Sequence, residues 1–326
     1  MHNEIIPFPH AIDSTTLASF RSCPNKAFRT YFQHFKPLGE SVHLVAGKAF
    51  AEGIEHARRA FYEQNQSPED SVAAGLRALV QSYGDFQCPP ESAKSLERTA
   101  GALEFYFESY PLGVDSAIPL QFPDGRSGIE FSFAQPLPIP HPITGDPILY
   151  TGRADMIAEF AGGIYIYDEK TTSQLGASWG KQWEMRSQFT GYCWAAREFG
   201  YNPSGVIVRG VSILKTKYDT LEVPTYRSDY EIDRWLEQTC RDIERMMYAW
   251  KSGYWDYNLD HSCAEYGGCS LLQVCKSPNP NGWLETYFER RVWDPLARAE
   301  VTWPEYLESR KDDIELTRKY LTGEAQ

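Results

Sequence analysis

The chain has 326 residues, which suffices for one large domain or two modest ones. Its residues are 42% hydrophobic and 14% aromatic, and this composition excludes a disordered chain. The net charge of −12 excludes an overall basic surface for binding nucleic acid, although a local basic groove is compatible with that charge. No apolar run approaches the roughly 20 residues of a membrane span and no signal-peptide pattern opens the chain, so we expect a cytoplasmic protein without membrane contact.

The first third of the chain is predicted to be helical. A helix is expected to follow the potential capping residues Ser14–Thr16 and to be interrupted near Pro24, because proline cannot donate the helical hydrogen bond. Apolar residues at helical spacing predict three further helices, at residues 44–62, 68–83 and 92–110. We therefore expect a helical region to precede the first strands.

Strand-like segments begin after residue 128, where β-branched and aromatic residues become frequent. Strands are predicted at residues 129–135, 148–160, 164–170, 206–214 and 221–226, and helices at residues 183–199 and 229–252. A helix between two strands permits a right-handed parallel crossover. We therefore predict an α/β fold with a mixed central sheet flanked by helices.

Two carboxylates and one ammonium group occur at adjacent points of a predicted β-hairpin. Asp155 lies near the end of one apolar run, and Asp168 and Lys170 end the next run after a Gly-Gly turn. Strand alternation places Asp168 and Lys170 on one face and Glu169 on the other. Carboxylates suit a divalent metal ion, and the lysine can orient the attacking water, so the pattern indicates a metal-dependent phosphodiesterase. Ordinary surface acids at strand ends are the alternative interpretation.

Three short motifs extend this pattern. Residues Gly152–Asp155 have the pattern G-x-x-D, Asp168–Thr171 the pattern D-x-K-T, and Gln188–Tyr192 the pattern Q-x-x-x-Y. Together they resemble the RecB-type branch of the PD-(D/E)XK nuclease superfamily. The resemblance implies a restriction-endonuclease-like core in which Gln188 and Tyr192 lie beside the active site and contact substrate phosphate or brace the lysine. On a helix these two residues share a face.

The resemblance also implies the ligands of the metal ion. It predicts that Asp155 and Asp168 hold Mg²⁺ or Mn²⁺, with the carbonyl oxygen of Glu169 as a further ligand. Members of this branch carry an additional histidine ligand on an N-terminal helix, and His56 lies in such a segment. Glu130, on the strand before Asp155, is a candidate for a further acid of the site.

The cysteines need a separate explanation, because an odd number, seven, without an export signal disfavours a disulfide framework. Cys263, Cys269 and Cys275 lie within thirteen residues of one another. Some RecB-type nucleases, including AddB-like subunits and CRISPR-associated adaptation exonucleases, hold a [4Fe–4S] cluster with three such cysteines and one upstream, here Cys23. Both gaps hold five residues, unlike the commonest family spacing, but a turn at Tyr266–Gly268 is expected to bring the thiols together. Zn²⁺ and free thiols stay open as alternatives.

Basic and aromatic residues follow the predicted hairpin. Lys181 and Arg186 open the helix of the Q-x-x-x-Y motif and are predicted to bind substrate. Trp179 and Trp183 lie in the same stretch and are candidates for stacking on unpaired bases. No base-reading motif is visible, so we expect no sequence specificity.

These observations predict a single nuclease domain over residues 1–326, with a helical part at 14–110, the core at 128–255 and a cysteine-rich loop and tail at 256–326. The predicted activity is metal-dependent, exonuclease-like cleavage of single-stranded or frayed DNA, giving 5′-phosphate and 3′-hydroxyl products. A role with partners of DNA repair, recombination or CRISPR adaptation is expected, and a phage origin is compatible with the length. The alternative is a non-catalytic nucleic-acid-binding or assembly protein that retains the fold and the cluster.

Overall fold

The computed structural model describes residues 4–259, 261–264, 268–297 and 299–323. A short π-helical turn, Phe28–Phe32, follows the second helix. The α-helices of the described residues are Ser14–Ser22 (α1), Pro24–Ala27 (α2), Val42–Tyr62 (α3), Pro68–Tyr83 (α4), Leu96–Ser109 (α5), Ala177–Lys181 (α6), Ser187–Glu198 (α7), Asp229–Ser252 (α8), His261–Ala264 (α9), Leu272–Lys276 (α10), Pro280–Tyr287 (α11), Trp303–Ser309 (α12) and Lys311–Thr322 (α13).

The strands lie mostly in the middle of the chain, as the sequence predicts, with a second group near the C-terminal end. They are Ala11–Asp13 (β1), Phe35–Pro37 (β2), Ile118–Pro119 (β3), Ile129–Pro140 (β4), Pro147–Phe160 (β5), Gly163–Thr172 (β6), Gly205–Ile213 (β7), Tyr218–Tyr226 (β8), Phe288–Asp294 (β9) and Ala299–Thr302 (β10).

The chain divides into two compact units, one of which contains residues 40–132 and 153–233. In this unit β6 and β7 run parallel with α7 between them in the chain, whereas the second half of β5 pairs antiparallel with β6 and β8 antiparallel with β7. Every residue of β7 is buried, which agrees with its largely apolar sequence. The predicted α/β fold with a mixed sheet flanked by helices is therefore confirmed.

Helices α3, α4 and α5 form the core of this unit together with the end of β7. α3 and α4 approach closely where Gly53 and Gly75 face each other. A Cβ atom at Gly75 would collide with the carbonyl oxygen of Gly53, so this approach requires a glycine. The buried face of α3 includes Phe50 and Ile54 at helical spacing. This packing fixes the helix that supplies Arg58 to Glu169 on β6.

The other unit contains residues 1–39, 133–152 and 234–326. Here β1 pairs in parallel with the first half of β5, and β9 is the central strand of an antiparallel sheet with β2 and β10. Leu271, Val274, Leu284 and Phe288 form a small buried cluster in this unit. The C-terminal tail, to which the sequence assigns no structure, thus contains helices and the strands β9 and β10, of which β9 pairs with the N-terminal strand β2.

Some local boundaries differ from the expected ones. The N-cap of α1 is Asp13, whose carboxylate accepts the Thr16 backbone N–H at 2.7 Å, so Ser14 lies inside the helix. α1 ends before Cys23, which is extended, and Pro24 starts α2 at a position where proline is tolerated. None of the described helices is both long and apolar enough to cross a membrane. The single-domain division predicted from the sequence stays a prediction.

Candidate active site

The neighbouring strands β5 and β6 bring together the three residues that the hairpin pattern singles out. The backbone N–H of Glu169 donates to Asp155 Oδ2 at 2.7 Å, which fixes that carboxylate against the neighbouring strand. On β6, Lys170 Nζ lies 2.5 Å from Asp168 Oδ1, so these two side chains share a face as strand alternation predicts. Asp168 is 1% exposed, whereas the Lys170 side chain is 34% exposed and reaches the surface. The result is an acidic floor of one buried and one half-buried carboxylate, with a solvent-accessible cation.

The charges of this cluster do not balance. Burial raises the pKa of Asp155 well above its usual range, and the neighbouring charge of Asp168 raises it further. Burial also raises the pKa of Asp168, although Lys170 opposes that change. For Lys170, burial lowers the pKa, but the charges of Asp168 and Asp155 outweigh burial and leave the pKa above its ordinary value. One ammonium therefore does not offset two adjacent carboxylates, and a further cation would lower the free energy of the ionised site.

Glu169 lies between Asp168 and Lys170 in sequence but points to the opposite face of β6. Its carboxylate forms a buried ion pair with the guanidinium of Arg58, including Arg58 Nη1 to Oε2 at 3.2 Å, and accepts the Tyr106 hydroxyl at 3.0 Å. Burial would raise the pKa of Glu169, but Arg58 and the hydrogen bonds lower it below its usual range. Its side chain is thus fully compensated and has a structural role.

A second buried arginine extends this network on the same face. Arg209 is 2% exposed and contacts Asp115 with its Nη1 and Nη2 at 2.5 and 2.9 Å, and Glu222 with its Nε at 2.8 Å. Its guanidinium also stacks on the ring of Tyr110, 3.9 Å from the centroid. Sequence reasoning did not single out Arg58 or Arg209 for this role. The available signal was an arginine within an otherwise apolar helical face or strand.

The Q-x-x-x-Y pair braces the strand that carries Asp155. Gln188 Nε2 donates to the Tyr192 hydroxyl at 2.9 Å, and that hydroxyl donates to the carbonyl oxygen of Arg153 at 2.8 Å. Tyr192 is 4% exposed, so its ring is a fixed part of the core. The motif thereby holds β5 two residues from Asp155, and contact of Gln188 with a substrate stays a prediction.

Glu130 and Arg153 form an ion pair beside the acidic cluster. Arg153 Nε lies 2.6 Å from Glu130 Oε2, with the Glu130 side chain 7% and the Arg153 side chain 48% exposed. Burial raises the pKa of Glu130 to about 7, against the lowering by Arg153. The charge of Glu130 also raises the pKa of Asp155, which places its carboxylate near that residue. Arg153 was not predicted, although it lies inside the G-x-x-D motif.

The remaining predicted residues lie in different settings. His56 is on α3 with its side chain 55% exposed, and its Nε2 lies 4.0 Å from Glu52 Oε2. Lys181 is exposed at the end of α6, and Arg186 is exposed before α7, where its charge lowers the pKa of Asp168. No contact of His56 or Lys181 with Asp155 occurs among the described contacts of the chain, so their roles stay predictions.

The two tryptophans proposed for base stacking are buried, which contradicts that interpretation. Trp179 and Trp183 are 8% and 6% exposed and pack edge to face, with ring centroids 5.2 Å apart. Trp179 also covers Gly210 of β7, where any Cβ atom would collide with its ring. Their aromatic faces are occupied by the core, because this stretch packs against the sheet instead of extending over it.

The fit of a divalent ion was tested on the donor set. In the described part of the chain, no group of three or more His, Cys, Asp or Glu side chains is arranged to hold a metal ion. The buried Oδ1 of Asp168, however, accepts no directed hydrogen bond among the described residues and is compensated there by the ion pair with Lys170. Two hard carboxylates with excess negative charge suit Mg²⁺ or Mn²⁺, so the residues present fit such an ion.

The four cysteines predicted to hold a cluster all belong to the unit of residues 1–39, 133–152 and 234–326. Burial raises the pKa of Cys275, and the charges of Cys269, Cys23 and Cys263 raise it further, so these three cysteines lie within electrostatic range of Cys275. Among the described residues, however, the four thiols do not form a metal-holding group. Most of the turn predicted at Tyr266–Gly268, residues 266 and 267, lies outside the described residues.

A large cavity occurs in the unit of residues 1–39, 133–152 and 234–326. It has a volume of about 380 Å³ and is lined by side chains from residues 7–16, 30–36, 291–296 and 301–313. None of its lining residues is one of the predicted metal ligands or cysteines. The acidic cluster is therefore assigned as the candidate site on its chemistry, not on its volume.

Comparison with known proteins agrees with the motifs. The profile of the PD-(D/E)XK nuclease superfamily matches residues 14–276. A candidate exonuclease from Eubacterium rectale has 12% identity and a TM-score of 0.43 over 79% of this chain and 88% of that chain. A protein named SSO0001 has 14% identity and a TM-score of 0.30 over 72% and 77% of the respective chains. Both scores are too low to carry an argument about function. No curated protein matches the chain.

Proposed function

The chain belongs to the PD-(D/E)XK nuclease superfamily, and we propose from that premise that it is a metal-dependent DNA nuclease. We further propose that it acts on single-stranded DNA or frayed ends in an exonuclease-like manner. The observation that carries the proposal is the juxtaposition of Asp155, Asp168 and Lys170, with Asp155 fixed by the Glu169 amide. An inactive descendant of the family would have no need to retain this uncompensated acidic cluster.

Asp155 and Asp168 would hold Mg²⁺ or Mn²⁺, with the Glu169 carbonyl and His56 as further predicted ligands. When bound, such an ion polarises the phosphodiester and makes its bound water more acidic. Asp168 is buried, and the half-buried Asp155 is held by the Glu169 amide, so both carboxylates lose little conformational freedom when they bind a cation. The site thus supplies hard oxygen ligands that are already close together.

Lys170 carries out a separate task in this proposal. Its pKa is raised by Asp168 and Asp155, so the ammonium stays charged at neutral pH. Its partly exposed side chain can orient the attacking water and stabilise negative charge that develops on the phosphate. Breaking the bond from phosphorus to the 3′ oxygen leaves a 5′-phosphate on one product and a 3′-hydroxyl on the other. Gln188 and Tyr192 keep β5 in place during this step.

The test is a cleavage assay with single-stranded, blunt and frayed DNA labelled separately at each end, with Mg²⁺, Mn²⁺ or a chelator. We expect metal-dependent shortening from an end, with mononucleotide or short products that carry 5′-phosphates. The matched control is Asp168→Asn, which preserves side-chain shape and removes the charge. DNA binding without cleavage by folded wild-type protein under all conditions would instead support the non-catalytic alternative.

We also propose that Cys23, Cys263, Cys269 and Cys275 hold a [4Fe–4S] cluster that stabilises the protein. The support is their electrostatic proximity and the family resemblance of their order in the chain. Anaerobically purified protein should be brown and contain about four irons per chain. Colourless protein with one zinc per chain would replace the cluster with a zinc site. Cys269→Ser should lower the melting temperature while activity per folded molecule is retained.

The proposed activity indicates a class of cellular process, the processing of DNA ends. DNA ends arise in repair, recombination and CRISPR adaptation, and proteins of those processes are the expected partners. A cytoplasmic location and a phage origin are retained as predictions. Copurification from a native host, followed by identification of bound proteins, would test the partner class.

A further inference from the structure

Arg153 occupies the strand position that precedes Asp155 by two residues. Side chains two apart on a strand share a face, so the guanidinium lies on the side of β5 that carries Asp155. The Tyr192 hydroxyl holds the backbone carbonyl of Arg153 at 2.8 Å, which makes this position rigid. Arg153 is thus a fixed cation beside the candidate active site.

Within the described ranges, the side chain of Arg153 has an ion pair with Glu130 and no side-chain hydrogen bond. Its contact with Glu130 Oε2 is made by Nε at 2.6 Å, while the side chain is 48% exposed. An arginine has two further nitrogens in a planar fork, and this fork suits the two non-bridging oxygens of a phosphate. The exposed end of Arg153 is therefore available to a ligand without loss of the ion pair.

Glu130 is held in an unusual conformation to make this pair. Its φ angle is +53°, in the left-handed region that non-glycine residues seldom adopt. Its carboxylate is 7% exposed, and burial disfavours its ionised form unless a cation lies beside it. The strained backbone and the buried carboxylate of Glu130 both cost free energy. A role in positioning Arg153 explains why the protein retains them.

A DNA strand needs such a cation at this site. A phosphodiester carries a negative charge, and the acidic cluster of Asp155 and Asp168 repels it. Lys170 is already paired with Asp168 at 2.5 Å, so it offsets part of that charge only. A second cation on the same face would hold the strand while the carboxylates bind the metal ion.

We propose that Arg153 binds a backbone phosphate of the DNA strand next to the scissile bond, and that Glu130 is the residue that positions its guanidinium. The inference rests on the proposed nuclease function and deepens it by assigning a phosphate-binding residue. Arg153 contacts the substrate, whereas Glu130 acts through Arg153. Neither side chain is required to ligate the metal ion.

The binding test uses a labelled single-stranded oligonucleotide and the cleavage-deficient Asp168→Asn protein at several salt concentrations. Adding Arg153→Gln should reduce the magnitude of the slope of log affinity against log salt by about 0.7, the value for one lost phosphate contact on a single strand. The matched control is Arg126→Gln, since Arg126 is 60% exposed and its Nε pairs with Asp124 at 2.7 Å. An unchanged slope for Arg153→Gln, or equal changes in both variants, would overturn the proposal.

The positioning role of Glu130 is tested in the active background. Glu130→Ala should raise KM for DNA and lower kcat, and Glu130→Gln should restore part of the loss, because its amide oxygen keeps a partial negative charge beside the Arg153 guanidinium. Mn²⁺ affinity measured by calorimetry should be unchanged in both variants. A loss of Mn²⁺ affinity with KM unchanged would make Glu130 a metal ligand and overturn its assigned role.

The two proposals fail in distinguishable ways. If the wild-type protein cleaves no DNA with either metal ion, the nuclease proposal fails, while the salt slopes still decide whether Arg153 contacts phosphate. If the protein cleaves DNA and the Arg153 and Arg126 variants have equal slopes, only the assignment of Arg153 fails.

Discussion

The two faces of β6 carry carboxylates in opposite electrostatic states. On one face, Asp168 lies with Asp155 and a single lysine, and burial raises the pKa of both acids. On the other face, Glu169 is paired with Arg58 and Tyr106, and its pKa is lowered. Adjacent acids of one strand are therefore under-compensated on one face and fully compensated on the other.

This difference separates a functional acid from a structural one without reference to any motif. A buried carboxylate paired with an arginine and a hydroxyl has its charge satisfied within the protein. A buried carboxylate beside another carboxylate stores unfavourable free energy that a bound cation would relieve. In the proposed function the face of Asp168 receives a cation, whereas the contacts of Glu169 with Arg58 and Tyr106 tie its face of the strand to α3 and α5.

The largest effect is expected on the face of Asp168. Asp168→Asn should reduce cleavage to background, a loss of about 10³-fold or more, because it removes a carboxylate proposed to hold the ion. The metal-free melting temperature should stay the same or rise, since repulsion with Asp155 is lost. A nuclease assay and circular dichroism provide the two measurements, with the exposed acid variant Asp124→Asn as the control. Near-normal activity of Asp168→Asn would contradict the assignment.

On the opposite face, the expected effect is on stability. Arg58→Met leaves Glu169 buried without its partner and should lower the free energy of unfolding by about 3–5 kcal/mol. Combining it with Glu169→Gln should recover part of that loss, because the uncompensated charge is removed. Denaturant unfolding measures both values. A loss below about 1 kcal/mol for Arg58→Met would mean that the ion pair does not hold the strand.

Substitution of Lys170 tests whether the cation on the Asp168 face of β6 acts in the chemical step or in binding the metal ion. Lys170→Ala should lower kcat by about 10²-fold, the usual effect of a lost charge-stabilising donor. Mn²⁺ affinity measured by calorimetry should survive or increase, because a competing positive charge is removed. Lys311→Ala, an exposed lysine paired with Glu308, is the control. Loss of Mn²⁺ binding in Lys170→Ala would contradict the division of roles.

The smallest effect is a pH dependence of opposite sign for the two faces. Asp155 and Asp168 have raised pKa values in the folded state, so their contribution to stability is present below about pH 4 and is lost as the pH rises through those values. Glu169 has a lowered pKa, so its contribution is present above pH 4.5 and is lost as the pH falls through its folded value.

Melting temperatures of metal-free protein across this range measure the effect, on the order of 1 kcal/mol for each pKa unit. Asp155→Asn should flatten the decline at rising pH, and Glu169→Gln should flatten the decline at falling pH. Addition of Mn²⁺ should also remove the decline at rising pH. The same pH profile in all variants would show that the two faces do not differ in this way.

Much of this site could be predicted because its residues lie close together in sequence. Strand alternation alone places Asp168 and Lys170 together and Glu169 apart, and the structure has this arrangement. The pairing of Gln188 with Tyr192 follows equally from helical spacing. The tryptophans were misjudged because sequence composition does not distinguish a ring that covers Gly210 from a ring that faces solvent.

The sequence by itself determined the mixed α/β fold, the hairpin with its acids, and the family, because these depend on periodicities of two and 3.6 residues and on short motifs. Only the tertiary structure decided which acid is compensated and which is not. Arg58 and Glu169 are 111 residues apart, and Glu130 and Arg153 lie on different strands, β4 and β5. Both pairings therefore depend on tertiary packing and cannot be predicted from a local sequence pattern. Charge balance is a property of neighbours in space, and in this protein it distinguishes the acids of the site from the acid that supports them.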